Sequence, residues 1–165
     1  MQLKFLPSFV KRKGRITKKQ THSLSSLSEF SVKSIQEVED FSKHFDKCYL
    51  EIGFGNAENI IFQAINNPSY LFIGSEVYMS GIGTLVSSIK ENKINNIKIF
   101  SDDIRILLDQ SPKIVFDSVI IICPDPWPKE KHHKRRLINK SFLEMVRDFM
   151  TVSYTHLTLP TILLV

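Results

Sequence analysis

The fold of this chain is set by residues 48–56, which read CYLEIGFGN. The run Cys48–Ile52 is apolar at most positions and predicts a buried strand, while Gly53 and Gly55 predict a tight turn directly after it. Asn56 is a favourable N-cap residue and predicts a helix that begins after the turn. That helix is expected to carry Ile60, Ile61, Ala64 and Ile65. A strand, a glycine turn and a helix in this order predict the first unit of an α/β fold.

The same alternation of strand and helix continues to about residue 150. Further strands are predicted at Tyr70–Val77, Ile97–Phe100 and Phe116–Cys123, and further helices at Gly81–Asn92, Ile104–Leu108 and Ser141–Phe149. The last helix is expected to open with a capping box formed by Ser141 and Glu144. Strands and helices at this spacing form right-handed βαβ units. The sequence therefore predicts an α/β fold in which helices flank a parallel, Rossmann-like sheet.

Two terminal segments fall outside this alternation. Met1–Gln20 is polar, basic and aperiodic, which predicts an arm that is mobile unless bound. One amphipathic helix is expected between the arm and the sheet, with its apolar face at Val32, Ile35, Val38, Phe41 and Phe45. Residues 152–165, VSYTHLTLPTILLV, carry no charge at neutral pH and continue no earlier pattern, so they are interpreted as a foreign tail. The expected organisation is an arm with a leading helix at 1–46, the α/β domain at 47–150 and the tail at 151–165.

Positive charge is concentrated in two segments of the chain, whose formal net charge is +5. Residues 1–28 carry seven Lys or Arg and no acid, and residues 129–140 carry six with only Glu130 opposing them. Either segment alone could be a solvated basic face. Two such segments on an otherwise acidic body favour an anionic polymer as the partner, most simply nucleic acid.

Composition disfavours several classes of protein. Cys48 and Cys123 both lie in apolar strands, which predicts two buried thiols rather than a disulfide and is typical of a reducing cytoplasm. No cluster of Cys and His indicates a metal site. No apolar run approaches the roughly 20 residues of a membrane span. We therefore expect a cytoplasmic protein without a metal or a membrane partner, and the sequence does not decide between a monomer and a homodimer.

One acid ends each of the four predicted strands: Glu51, Glu76, Asp103 and Asp125. The carboxyl ends of parallel strands share one edge of a sheet, and ligands bind at that edge. A ring of acids there suits a cofactor with hydroxyls, an amino group and a positive centre. An anionic dinucleotide is disfavoured, because the third glycine of its fingerprint is absent and Glu58 would repel a pyrophosphate. Taken singly, Glu76 could be a surface acid and Asp103 the N-cap of a short helix.

A second informative stretch is residues 120–136, which read IIICPDPWPKEKHHKRR. Its apolar start, from Val119 to Cys123, is expected to be buried. Three alternating prolines then exclude a helix or a paired strand, so a stiff loop presents Asp125 and Trp127. A basic run follows, from Lys129 to Arg136. An acid, an aromatic ring and positive charge in this order suit an enzyme that acts on a nucleobase and holds its phosphates.

These stretches resemble one known family. EIGFGNAENI, the acid at Glu76 and PDPWPKEKHHKRR resemble bacterial tRNA (guanine-N7)-methyltransferases, the TrmB family, and SFVKRKGRITKKQ resembles that family's basic arm. The resemblance covers about residues 8–150. The family's later strands and its Thr-Asp motif have no counterpart after Thr151, so C-terminal strands of the fold are expected to be missing. The resemblance implies a class I methyltransferase fold that binds S-adenosylmethionine (SAM) and methylates N7 of a guanine in the tRNA variable loop.

The resemblance also implies roles for individual residues. The SAM site would be formed by Glu51, Gly53, Gly55, Glu76, Asp103 and Asp125. Asp125 would in addition be catalytic. Substrate tRNA would be bound by Trp127, Lys129, Lys131, Lys134, Arg135 and Arg136. The two histidines of this run, His132 and His133, are expected to be solvated.

The expected chemistry places few demands on the protein. Guanine N7 already carries a lone pair, so no general base is needed and the protein must align the base with the methyl group. Asp125 is expected to accept hydrogen bonds from the guanine N1 and N2 edge, and Trp127 to stack on the base or only to pack the loop. Three alternatives stay open: an NAD-dependent Rossmann oxidoreductase, a SAM enzyme that methylates an exocyclic amine, and a non-catalytic RNA-binding module.

Overall fold

The computed structural model describes residues 5–10, 15–111 and 113–151. Its centre is a four-stranded sheet formed by β1 (Lys47–Ile52), β2 (Tyr70–Ser75), β3 (Ile97–Phe100) and β4 (Ser118–Ile121). The strand order is β3-β2-β1-β4, and all three neighbouring pairs are parallel. The predicted parallel sheet is therefore confirmed, and the carboxyl ends of its four strands lie at one edge.

Helices connect and cover the strands. The α-helices of the described residues are α1 (Lys18–Leu24), α2 (Leu27–Phe30), α3 (Ile35–Ser42), α4 (Glu58–Asn66), α5 (Met79–Asn92), α6 (Ile104–Leu108) and α7 (Lys140–Arg147). A 3-10 helix, Glu130–Arg135, precedes α7. The predicted bounds of β3 and α6 are confirmed, while the predicted ends of β2 and β4 each extend two residues too far.

Alternation along the strands divides the apolar side chains between two cores. Leu50 and Ile73 belong to the first core, together with residues of α3, α6 and α7. Phe72 and Ile99 belong to the second core, together with residues of α4 and α5. The expected apolar positions Val32, Ile35 and Val38 are buried, and Phe41 and Phe45 pack against the first core. Helices thus cover both faces of the sheet, as the continuous apolar runs in its strands require.

The N-terminal region contains more helix than its composition predicts. α1 begins inside the predicted arm, because Thr17 and Gln20 form a capping box in which each side chain accepts from the other residue's backbone N–H. Gln20 also donates to the hydroxyl of Thr84 in α5 (3.0 Å). Three short helices precede the sheet where one was expected, so the prediction of an aperiodic arm is wrong at its C-terminal end. The predicted tail at 152–165 lies outside the described residues.

Two predicted helix caps are wrong. α4 begins after Ala57, which has a left-handed backbone (φ 68°) and makes no side-chain cap, so Asn56 lies one residue too early. Ala57 is fully buried and its N–H donates to the carbonyl of Phe54 (2.8 Å), which fixes the turn without a polar cap. α7 is capped by Asn139, whose Oδ1 accepts from the N–H of Phe142 (3.0 Å), rather than by the box predicted at Ser141.

The prediction that residues 119–123 are buried is also wrong. Among the described residues β4 is an edge strand, and its residues are only partly buried, although Val119 and Ile121 pack against the first core. Ile122 is 48% exposed, and the exposed Cys123 turns the chain with a left-handed backbone (φ 49°). Of the two thiols, only Cys48 is buried, which raises its pKa to about 12. Ile65, one of the apolar residues predicted for the helix α4, is 54% exposed.

Candidate functional site

A cleft of about 260 Å³ lies at the carboxyl edge of the sheet. Its walls come from the segments that follow the four strands and from a segment near the N-terminus. The lining residues are Ser8, Phe9, Ile52, Gly53, Gly55, Ser75, Glu76, Val77, Tyr78, Asp102, Asp103, Ile104, Ile121, Ile122, Cys123, Pro124, Asp125 and Leu137. Five of the six residues expected to bind cofactor are among them: Gly53, Gly55, Glu76, Asp103 and Asp125. The structure therefore brings together most of what the strand-end pattern predicted.

The floor of the cleft is a turn built on close backbone contact. Gly53 (φ 72°) and Gly55 (φ 54°) both adopt the left-handed conformation that favours glycine. The N–H of Gly53 donates to the carbonyl of Ser75 at the end of β2 (2.8 Å). Gly81, in the first turn of α5, lies so near that a Cβ there would be 2.2 Å from the carbonyl oxygen of Gly55. Sequence analysis missed this third glycine, because its partner is remote in the chain.

Glu76 holds this turn in place. The residue is 5% exposed. Its Oε2 accepts from the N–H of Gly55 (2.9 Å), and its Oε1 accepts from the N–H groups of Val77 (2.7 Å) and Tyr78 (3.0 Å). A carboxylate can accept about four hydrogen bonds, so one acceptor position remains for a ligand. Glu76 therefore joins the glycine turn to the start of α5 while it lines the cleft.

Asp103 is already paired within the chain. Its Oδ1 accepts from the N–H of Arg105 (3.1 Å) and caps α6, as the simpler interpretation of the sequence had it. The same carboxylate forms an ion pair with the Arg105 guanidinium, and both residues are buried. The neighbouring Asp102 lines the cleft, is exposed, and accepts from the N–H of Asp103 (2.8 Å). Arg105 was not recognised from the sequence, where it looks like an ordinary helix residue.

Asp125 is the acid with the greatest freedom at the cleft. It is exposed, and in the described part of the chain it makes no hydrogen bond or ion pair. Its loop is held in an unusual shape, because Cys123 (φ 49°) and Trp127 (φ 41°) both have left-handed backbones without being glycine. The loop therefore presents an unpaired carboxylate at the cleft.

Glu51 does not line the cleft, although it was predicted to form the cofactor site together with the other three strand-end acids. It lies within β1, is 3% exposed, and accepts from the side chain of Asn59 in α4 (2.7 Å). Burial raises the pKa of Glu51, and the Asn59 hydrogen bond partly opposes this. A role of Glu51 in cofactor binding stays a prediction.

The basic residues lie beside the cleft rather than in it. Lys129, Lys131, Lys134 and Arg136 are exposed, on or next to the 3-10 helix that follows the Asp125 loop. Arg135 lies over the ring of Trp127, at 5.1 Å from its Cζ to the ring centroid. None of these residues lines the cleft, so their predicted contact with substrate stays a prediction.

The side chain of Trp127 contacts the N-terminal segment and the 3-10 helix. Its Nε1–H donates to the carbonyl of Ser8 (2.9 Å), and its ring meets that of His132 edge-on at 5.5 Å between centroids. The ring does not line the cleft. Of the two predicted roles, stacking on a base or packing the loop, these contacts favour the second.

Metal sites and membrane-spanning helices are both absent from residues 5–10, 15–111 and 113–151. Within these ranges no three His, Cys, Asp or Glu residues lie close enough together to hold a metal ion. In the same ranges no helix has the length and apolar character needed to cross a bilayer.

Known proteins resemble this chain along most of its length. A family model described as "Putative methyltransferase" matches residues 46–156. A tRNA (guanine-N(7)-)-methyltransferase of Neorickettsia sennetsu is 37% identical over 142 residues, which are 86% of this chain and 63% of that protein. A protein of the same name from Legionella pneumophila (Philadelphia 1) is 33% identical over 153 residues, 88% of this chain and 68% of that protein.

A solved structure supports the fold. "Structure of an antibiotic related Methyltransferase" superposes with a TM-score of 0.53 at 22% identity, covering 72% of this chain and 60% of that one. The chain spans about two thirds or less of the length of the relatives compared here. The glycine turn, the strand-end acids and the Asp125 loop lie within the matched region. The chain therefore belongs to the tRNA (guanine-N(7)-)-methyltransferase family.

Proposed function

We propose that this protein transfers the methyl group of SAM to N7 of a guanine in tRNA, at position 46 of the variable loop. The observation that carries the proposal is the unpaired carboxylate of Asp125, presented at the cleft by a loop that leads directly into exposed basic residues. The relatives that bear this name support it. With tRNA as the partner, the expected location is the cytoplasm.

The residues of the cleft fit SAM. The glycine turn offers backbone without side chains, and Ile52, Ile104 and Ile121 supply apolar surface for an adenine ring. Glu76 retains one acceptor position, which suits a ribose hydroxyl. The carboxylates of Asp102 and Asp125 line the cleft, and none of the described residues that line it is Lys, Arg or His, which favours a positively charged ligand. SAM would supply an electrophilic methyl group on a sulfonium centre.

NAD fits the same cleft poorly. Its pyrophosphate would have to lie among the carboxylates of Glu76, Asp102 and Asp125, where like charges repel. The helix N-terminus that would otherwise attract phosphate begins with Glu58 in its first turn. The oxidoreductase alternative is therefore set aside, in agreement with the family of the chain.

The protein's own part in the reaction is to position the base. Asp125 accepts hydrogen bonds from the N1–H and N2–H groups of guanine and so turns N7 towards the cofactor cleft. No residue needs to remove a proton, because N7 presents a lone pair. Lys129, Lys131 and Lys134 contact phosphates and fix the register of the tRNA without reading its sequence.

The experiment that tests this function compares Asp125→Asn with Glu144→Gln, a matched change of an exposed carboxylate in α7. The Asn side chain places an NH2 where an acceptor is needed, so turnover should fall about 100-fold from misalignment of the base. Affinity for tRNA should fall less than 3-fold, because phosphate contacts dominate it. Methyl incorporation into unmodified tRNA and filter binding measure the two quantities. Equal losses in both would reject the role of Asp125.

The position of the new methyl group separates the proposal from a SAM enzyme that acts on an exocyclic amine. Digestion of the product and mass spectrometry should find 7-methylguanosine. Methyl groups on N2 or N6 would favour the exocyclic alternative. tRNA binding with no methyl transfer would favour the non-catalytic RNA-binding module.

A further inference from the structure

A segment far from the sheet in sequence, Phe5–Val10, runs along the cleft. Ser8 and Phe9 contribute to the cleft wall. The carbonyl oxygens of Leu6, Ser8 and Val10 each accept a hydrogen bond from a side chain. Because these carbonyls belong to every second residue, the three bonds pin the segment along its length rather than at one point.

The three donors come from three different strand ends. Tyr78, which follows β2, donates its hydroxyl to Val10 (2.8 Å). Arg105, in the helix after β3, donates Nη2 to Leu6 (3.1 Å), and its guanidinium lies over the ring of Phe5 at 5.1 Å. Trp127, in the loop after β4, donates Nε1 to Ser8 (2.9 Å). One short segment thus bridges the ends of three strands whose loops form the cleft.

We propose that Phe5–Val10 is a wall of the cofactor site, and that Tyr78, Arg105 and Trp127 hold this wall closed. The proposal rests on the proposed function only in naming SAM as the occupant of the cleft. It assigns Trp127 as a positioning residue that acts through the Ser8 carbonyl, not as a platform for the target base. It also gives Arg105 a second task besides its ion pair with Asp103.

The consequence for binding is specific. A wall that covers bound SAM must move aside for SAM to leave, so loss of a wall hydrogen bond should raise the dissociation rate. Each neutral hydrogen bond contributes a factor of about 2 to 10 to the stability of the closed wall. Removing two of the three donors should therefore weaken SAM binding by about 4- to 100-fold.

The test uses Tyr78→Phe, which removes only the donor hydroxyl, Trp127→Phe, which removes the Nε1–H donor and makes the ring smaller, and the double variant. Tyr70→Phe makes the same change at the start of β2, where the ring packs against Tyr49, and serves as the matched control. Calorimetry with SAM gives the affinity. Trp127 is the only tryptophan of the chain, so its emission in Tyr78→Phe reports whether the Ser8 contact persists.

A second readout needs neither SAM nor activity. We expect chymotrypsin to cleave after Phe9 only when the segment has left the cleft. Mass spectrometry measures the rate at which this cleavage product appears. The variants should be cut faster than the parent and the control, and saturating SAM should slow the cut in the parent.

The outcomes separate the two proposals. Faster cutting together with weaker SAM binding supports the wall. Unchanged cutting and unchanged SAM affinity in the double variant overturn the wall while the proposed function stands. Faster cutting in a protein that binds no SAM confirms the three bonds and overturns SAM as the occupant.

Discussion

At the scale of single residues, two buried glutamates at neighbouring strand ends have opposite surroundings. Glu76 accepts three backbone hydrogen bonds. Glu51 has one neutral partner in the described residues, Asn59, and burial raises its pKa. Acids at similar positions in the sequence therefore have different surroundings, because the partners of a side chain depend on the fold and not on its place in a strand.

Glu51 should make the stability of the protein depend on pH. A carboxyl group whose pKa is raised on folding binds its proton more tightly in the folded state. Its stabilising effect is present below the unfolded pKa of about 4.3 and is lost as pH rises through the folded pKa. Glu51→Gln should therefore unfold at a higher temperature than the parent at pH 7, and this advantage should vanish below about pH 4.

Thermal unfolding followed by circular dichroism between pH 3.5 and 8 checks this. Glu144→Gln, an exposed position, is the control and should track the parent at every pH. If the melting temperatures of Glu51→Gln and the parent differ by the same amount at every pH, ionisation of the buried carboxyl group is not the cause of the difference in stability.

At the scale of secondary-structure elements, the order of strands and helices was predicted well, whereas the caps of α4 and α7 and the ends of β2 and β4 were not. β1 and β3 were recognisable because each is an apolar run bounded by a turn or polar residues. The glycine turn and the acids after the strands followed from that alternation. The start of α4 was missed because Ala57 takes a backbone conformation that its residue type disfavours, and only burial of its methyl group reveals why.

The cap of α7 offers a direct test at this scale. Asn139 accepts from the N–H of Phe142, whereas Ser141 is exposed inside the first turn. Asn139→Ala should lower the free energy of unfolding by about 1 kcal/mol, and Ser141→Ala should change it by less than about 0.5 kcal/mol. Urea unfolding measures both. The reverse order of losses would restore the capping box predicted at Ser141.

At the scale of the whole molecule, the long-range contacts are what the sequence could not predict. The donor of the Trp127–Ser8 hydrogen bond and its acceptor lie 119 residues apart, and neither residue type demands the other. The same holds for Gly81 and Gly55, whose close approach depends on how α5 packs. Patterns of polarity report which face of an element is buried, but they carry no information about the partner that buries it.

The charge of the molecule gives a prediction at the same scale. Lys131 and Lys134 are exposed on the 3-10 helix beside the Asp125 loop. Changing both to Gln should weaken tRNA binding. It should also lower the magnitude of the slope of log affinity against log salt by about 1 to 2, because fewer counterions are released on binding when phosphate contacts are lost.

The matched control changes Lys33 and Lys93 to Gln, two exposed lysines outside the loops that form the cleft. This control has the same change in net charge, so its slope should stay close to that of the parent. Equal slopes for the two double variants would mean that the run after Lys129 is an ordinary solvated face.

The loop after β4 has one more consequence, for the thermodynamics of recognition. Three prolines fix their φ angles, and Cys123 and Trp127 are held in left-handed conformations. Much of the conformational entropy that a flexible loop would lose on meeting its ligand has therefore already been lost during folding. On the proposed function, a base that meets Asp125 would encounter a carboxylate whose backbone is already in place, so the entropic cost of ordering the site would fall on the folding of the protein and not on each act of binding.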